Sequence, residues 1–229
     1  MLNDDNSLDL TGIGKLAKSI PQSVYERTTE TITSTFEKLV APITETTSGF
    51  GRYIRQKFDN MVEVEKSLFI YSFQNAQKKI IAKGLNINKV SNPKAFVKIM
   101  ENASQETDEL LNVLWTNLLY SQLTDQDSHP FFINVLSSLS KNEAIMLESL
   151  NSFDSIGEIK TNVIFYPPRI KSWVKKNGGE IFKWNFSCNL LCEFGLAKTV
   201  APFTHKPGND TVILYRTEIG NSFLKAVEK

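Results

Sequence analysis

Apolar residues over the first two thirds of this chain recur at three- and four-residue intervals, the spacing that places them on one face of a helix. Leu10, Ile13, Leu16, Ala17 and Ile20 make such a face, with Lys15 and Lys18 elsewhere on the wheel. Pro21 suits the first turn of a second helix, where its missing N–H costs nothing. Ile32, Phe36, Leu39, Val40 and Ile43 carry that helix on, and Pro42 kinks or ends it. The threonines at its centre (Thr28, Thr29, Thr31, Thr33, Thr35) restrict χ1 and lower its propensity, so packing must supply its stability. One long helix is predicted over Phe50–Lys83, with Gly84 as its stop. Asn92-Pro93 is a cap with proline at N1, opening a helix that carries Phe96, Val97, Ile99 and Met100. The segment Glu106–Leu123 has acidic residues in its first turn and apolar ones on more than one face, which makes it the central helix of a bundle. Leu111, Leu114, Trp115 and Leu118 are its expected core. His129-Pro130 opens a helix through Leu139, and Ser140 with Glu143 has capping-box spacing for another, to about Asn151.

The period changes near 152–162. A short strand or extended segment is predicted over Asn162–Tyr166, a helix over Ile170–Lys176, and a second helix over Phe182–Phe194 with Gly195 as its stop. Leu196–Phe203 and Thr211–Thr217 alternate like strands around the turn-forming stretch His205–Asp210, and Ile219–Val227 closes with a helix. Helices followed by a hairpin and a last helix give the order of a winged helix. The predicted fold class is therefore mainly α, a helical bundle over residues 1–152 followed by a winged-helix-like α/β-hairpin domain over 153–229.

Charge sharpens this division. Residues 1–160 carry 16 Lys+Arg and 20 Asp+Glu, a balance of −4, whereas residues 161–229 carry 10 and 5, a balance of +5. The whole 229-residue chain is nearly neutral at +1, so no global field draws it to nucleic acid or an anionic membrane. With 41% hydrophobic residues and only 11 Gly and 8 Pro, collagen-like, low-complexity and wholly disordered classes are excluded. The longest uncharged stretch, Leu110–Thr124, is fifteen residues, short of the roughly 20 that cross a bilayer. Two cysteines fit a reducing compartment, and the opening MLNDDNSLDL lacks the basic and apolar regions of a secretory signal. A cytoplasmic location is expected.

Three sets of residues resemble a known family. The first runs Leu10-Thr11-Gly12-Ile13-Gly14-Lys15 to Ser19-Ile20-Pro21 and resumes from Ala41-Pro42-Ile43 to Ser48-Gly49. The second is Asp108-Glu109-Leu110-Leu111 with Trp115, then His129-Pro130-Phe131 and Leu139-Ser140. The third is Asn189-Leu190-Leu191-Cys192-Glu193-Phe194-Gly195-Leu196, with Thr217-Glu218-Ile219-Gly220 and Phe223. Together, over roughly residues 9–228, they resemble the abortive-infection alpha family of bacterial proteins. The resemblance implies antiviral defence and phage resistance, in which an infected cell stops growing or dies before phage mature. It brings no agreed catalytic residues, and none are transferred.

No catalytic, cofactor-binding or metal site is assigned from the residues. Cys188 and Cys192 stand at i and i+4 with His205 in the hairpin, but a closed zinc site needs four ligands, and buried apolar thiols are the simpler account. His129 beside Asp125 and Asp127 lacks a neighbouring nucleophile, and a cap and turn explain it better. Gly12 and Gly14 form a lone GxG without the preceding strand of a phosphate loop. An interaction surface is the remaining candidate, drawn from Ile13, Lys15 and Lys18 in the N-terminal helix and Arg169, Lys171, Lys175 and Lys176 in the basic domain. The expected function is a non-enzymatic defence protein that works through contacts with a host or phage protein. Two rivals stand beside it: a winged-helix DNA-binding regulator, and an effector lying peripherally on a membrane. DNA is the less favoured partner, because the candidate recognition helix Phe182–Leu191 is mostly apolar and has Lys183 as its one cation. Self-association is compatible with the pattern.

Overall fold

The computed structural model describes residues 29–41, 49–87, 90, 92–124, 129–150, 164–165, 181–200 and 212–227. The predicted helices at 10–19 and 170–176, the turn at 205–210 and the glycine pair at 12 and 14 lie outside them. The described residues form nine helices and a small sheet, so the chain is mainly α. Packing divides it into two compact units, Met1–Ser128 and His129–Lys229.

In the first unit lie α1 (Thr29–Val40), α2 (Gly49–Asp59), α3 (Glu63–Ala82), α4 (Pro93–Gln105) and α5 (Glu109–Leu123). The helix expected over Phe50–Lys83 is broken between Asp59 and Glu63. A local cap marks the break. Asn60 and Met61 turn the chain, Val62 is extended (φ −73°, ψ 159°), and the Val62 N–H donates to Oε2 of Glu65 at 3.1 Å to begin a new helix. The bend lets Phe58 of α2 and Phe69 of α3 both face Phe36 of α1. Phe36 and Phe58 stack at 3.7 Å, and Phe69, Phe73 and Phe96 meet edge to face at 5.7–6.4 Å. Such ring pairs add to the apolar burial that α1, poor in intrinsic propensity, depends on.

The Asn92 cap and the Gly84 stop fall where the sequence places them. Oδ1 of Asn92 accepts from the Ala95 N–H at 3.1 Å, with Pro93 at N1, and Gly84 takes φ +66° beyond the end of α3. Oδ1 of Asp108 accepts from the N–H groups of Leu110 and Leu111 at 3.0 and 3.2 Å, so α5 starts at Glu109 and not at Glu106. Leu111, Trp115 and Leu118 are buried. Leu114 is only half-buried and Val113 is exposed, because polar residues occupy much of the face α5 turns to α3. There Ser72 and Asn112 pair at 3.1 Å, the Lys79 ammonium donates to Oδ1 of Asn117, and Lys83 lies 5.3 Å from the Tyr120 ring. These partners rise together along both helices, so α3 and α5 run parallel. Burial lowers the pKa of Lys79, and the nearby Lys83 charge lowers it further.

The second unit holds α6 (Pro130–Leu136), α7 (Lys141–Ser149), β1 (Ile164–Phe165), α8 (Ile181–Glu193), β2 (Ala197–Val200), β3 (Val212–Arg216) and α9 (Glu218–Val227). The sequence pattern assigns α6 and α7 to the preceding bundle, ending at residue 152. They pack instead within this unit: Phe132 of α6 meets Phe223 of α9 edge to face at 5.7 Å, and α7 lies on α8. Helix α6 stops at Leu136, short of the expected Leu139, because Ser137 and Ser138 return their hydroxyls to the Asn134 carbonyl. The predicted hairpin is present as antiparallel β2 and β3, with Ala197 opposite Arg216 and Val200 opposite Ile213. It gains a third strand: β1 pairs antiparallel with β3, Ile164 opposite Ile213, giving the order β1-β3-β2.

Arg216, at the end of β3, ties this unit together. Its guanidinium donates to the Leu147 carbonyl at the C-terminus of α7 (3.3 Å) and to Oδ1 of Asn221 in α9 (2.6 Å). Thr217 caps α9 by accepting from the Gly220 N–H at 3.1 Å while donating to the Gly195 carbonyl at 2.6 Å. Gly220 then lies so close to β2 that a Cβ there would meet the Leu196 carbonyl oxygen at 2.2 Å.

Candidate functional site

Helix α7 begins with a reciprocal cap. Oγ of Ser140 accepts from the Asn142 N–H at 3.3 Å, and Oε2 of Glu143 accepts from the Ser140 N–H at 2.6 Å. The same carboxylate reaches α8, where the Ser187 hydroxyl donates to its Oε1. Glu143 is 4% exposed and Ser187 1%, so this is a carboxylate taken out of water between two helices. Two further residues set the spacing: one turn along, Sγ of Cys188 lies 3.2 Å from Sδ of Met146.

The N-terminal part of α7 and the outer side of α8 border a cleft of about 330 Å³ lined by Ser138, Ser140, Asn142, Glu143, Phe186, Ser187 and Leu190. Its wall is mixed, with small hydroxyls and an amide from the α6–α7 side and two apolar side chains from α8. Phe186 is 59% exposed, an unusual position for a phenyl ring beside the buried Ser187 and Cys188. Helical period explains it: Ser187, Cys188 and Leu191 face inward, so Phe186, Asn189 and Glu193 face out.

The residues singled out by sequence fare differently. His129 is the N-cap of α6, its Nδ1 accepting from the Phe131 N–H at 3.2 Å, as a cap and turn require. Cys188 is buried, and burial, with the nearby Cys192 adding, pushes its thiol pKa up to about 12. Cys192 is half-buried, and burial raises its thiol as well. Both are core thiols, poorly suited to act as thiolates. Among the described residues no three His, Cys, Asp or Glu side chains gather as a metal site would need, and no helix is long and apolar enough to cross a membrane. His205, Ile13, Lys15, Lys18, Arg169, Lys171, Lys175 and Lys176 lie outside the described residues, and of Lys183 the backbone alone is described. Sequence reasoning assigns Glu143 to its cap and misses the cleft. The capping box accounts for one carboxylate oxygen and gives no sign that the other meets Ser187.

These features define a two-unit helical protein whose second unit joins three helices, a three-stranded antiparallel sheet and a closing helix, with a small cleft between α7 and α8. Residues 69–227 match the abortive infection alpha family, and the chain belongs to it. That membership associates it with abortive infection, a form of phage defence. The match begins within α3, so the first set of resembling residues, Leu10–Pro21 and Ala41–Gly49, precedes it. No curated protein and no solved structure matches the chain.

Proposed function

We propose that this protein acts in phage defence through protein contacts, without a reaction of its own, in the bacterial cytoplasm. Its second unit is then a winged-helix-like docking module, with α8 in the place of a recognition helix and β2–β3 as the wing. One observation supports this reading above others. The described outward positions of α8 are Phe186, Asn189 and Glu193, an aromatic, an amide and a carboxylate, with no cation among them. A helix that entered a major groove would present donors and positive charge to phosphates and base edges. An exposed aromatic over a cleft is the composition of a protein contact instead. The cations Arg169, Lys171, Lys175 and Lys176 and the segment with Ile13, Lys15 and Lys18 are further candidates for that contact surface. A host or phage protein is the partner in this scheme.

Phage challenge of cells with inducible expression tests it. Wild-type protein lowers phage yield, and Phe186→Ser removes that protection while the melting temperature stays unchanged. A Phe186→Ser protein that still protects as well as wild type overturns the assignment of α8 as the contact element. Equal phage yield with and without the wild-type protein overturns the defence role.

A further inference from the structure

We propose that the α7–α8 cleft receives an arginine side chain of the partner protein, its guanidinium on the Glu143 carboxylate and its stem along Phe186 and Leu190. The inference rests on the docking reading above and gives the partner its chemistry. Three observations carry it. First, Glu143 is an acidic residue, 4% exposed and part of the cleft wall, and among the described residues no cation is seen paired with it, whereas Arg55–Glu37, Lys57–Glu101 and Lys66–Glu63 are paired in the other unit. Burying a carboxylate is costly unless a cation pairs with it, and the dipole at the start of α7 offsets part of that cost at most.

Second, the carboxylate is not saturated. Its oxygens offer about four acceptor positions. The Ser140 N–H takes one on Oε2 and the Ser187 hydroxyl one on Oε1. One position on each oxygen remains, which is the paired arrangement a guanidinium fork fills and a lysine ammonium does not. Third, the rest of the wall fits the rest of that side chain. Phe186 offers an exposed ring for a cation to stack on, Leu190 an apolar surface for the methylenes, and Ser138 and Asn142 acceptors for the remaining N–H groups. A volume of about 330 Å³ lies at the small end of ligand pockets, suited to one long side chain and not to a dinucleotide-sized cofactor.

The test uses the full chain, isotope-labelled, titrated with three blocked tripeptides that differ only at the centre: acetyl-Gly-Arg-Gly-amide, its lysine counterpart and its citrulline counterpart. Citrulline keeps the shape of arginine and removes its charge. Binding is followed by the amide resonances of Asn142, Glu143 and Ser187. The arginine peptide should bind about tenfold more tightly than the citrulline peptide, with lysine between them. Glu143→Gln retains a residue that completes the capping box, so α7 stays capped while the charge is lost. It should abolish the difference between arginine and citrulline. Phe186→Ser should weaken arginine binding without a change in melting temperature. Arginine and citrulline peptides that bind alike, or an arginine preference that survives Glu143→Gln, overturns the proposal. So does an absence of shifts in the wild type, the result expected if a cation of this chain already fills the cleft. Loss of phage protection in Phe186→Ser without arginine binding leaves the docking reading standing and overturns this one. Arginine-selective binding with full protection by both variants does the reverse.

Discussion

Trp115 is among the largest fully buried side chains of the first unit, at 2% exposed, and it sits on a helix whose neighbours Leu111, Leu118 and Leu119 are buried with it. Trp115→Ala leaves a cavity that this packing fills only in part, so we expect a loss of about 3–5 kcal/mol in denaturant unfolding. Its burial follows from the apolar excess of α5. The half-burial of Leu114 does not, because it depends on Asn112 and Asn117 turning toward α3. Cys188 gives a second expectation. Its thiol rises from an ordinary value of 9.0 to about 12 through burial, so the folded state holds the proton where the unfolded chain releases it. Stability from this group is complete below about pH 9 and falls as pH rises from there toward 12. Unfolding free energy measured across that range should drop more steeply in wild type than in Cys188→Ala. A disulfide reagent at pH 8 should modify the half-buried Cys192 well before Cys188.

Elements are legible in the sequence where a single side chain or turn residue decides them. Asn92-Pro93, Ser140 with Glu143, Gly84 and Gly195 each mark a terminus that the structure places within a residue or two, because caps are local chemistry. The break between α2 and α3 is not legible. Asp59-Asn60 is a weak stop, and what makes it one is the meeting of Phe36, Phe58 and Phe69, three residues far apart in the chain. The pattern predicts a strand or extended segment at β1 but not its partner, since antiparallel pairing of Ile164 with Ile213 is a contact across the domain. Two glycines allow a matched test at this scale. Gly220→Ala drives a Cβ to 2.2 Å from the Leu196 carbonyl oxygen, a backbone atom, so α9 must move off β2. Gly49→Ala meets nothing within 4 Å in the first turn of α2 and restricts the unfolded chain. We expect the first to cost about 2–4 kcal/mol and the second to raise stability by a few tenths to about 1 kcal/mol. Thermal melts of the two variants should move in opposite directions.

For the molecule as a whole, the charge asymmetry between the first 160 residues and the rest points to a division there, and packing divides the chain instead at Ser128–His129. Charge follows solvent exposure, whereas a unit is held by its buried side chains, and Phe132 on Phe223 with α7 on α8 draws the two middle helices to the C-terminal side. The cleft is illegible in the sequence for a related reason: Glu143 and Phe186 lie far apart along the chain and belong to one site only because α7 and α8 pack. The described outward positions of α8, Phe186, Asn189 and Glu193, give a global expectation. The protein should bind duplex DNA no more tightly than about 10 μM at physiological salt, within the sequence-independent range, in a titration by fluorescence anisotropy. Tight, sequence-selective binding would make the second unit a regulator. The polar pairs between α3 and α5 carry one more consequence. Sliding α5 by one turn, about 5.4 Å, would part Ser72 from Asn112 and Lys79 from Asn117 in the same movement and carry the Asn112 amide to the level of Leu68 or Ala76. The two rods therefore share a single notch. A push on one end of that pair arrives at the other end as displacement, with no slippage to absorb it.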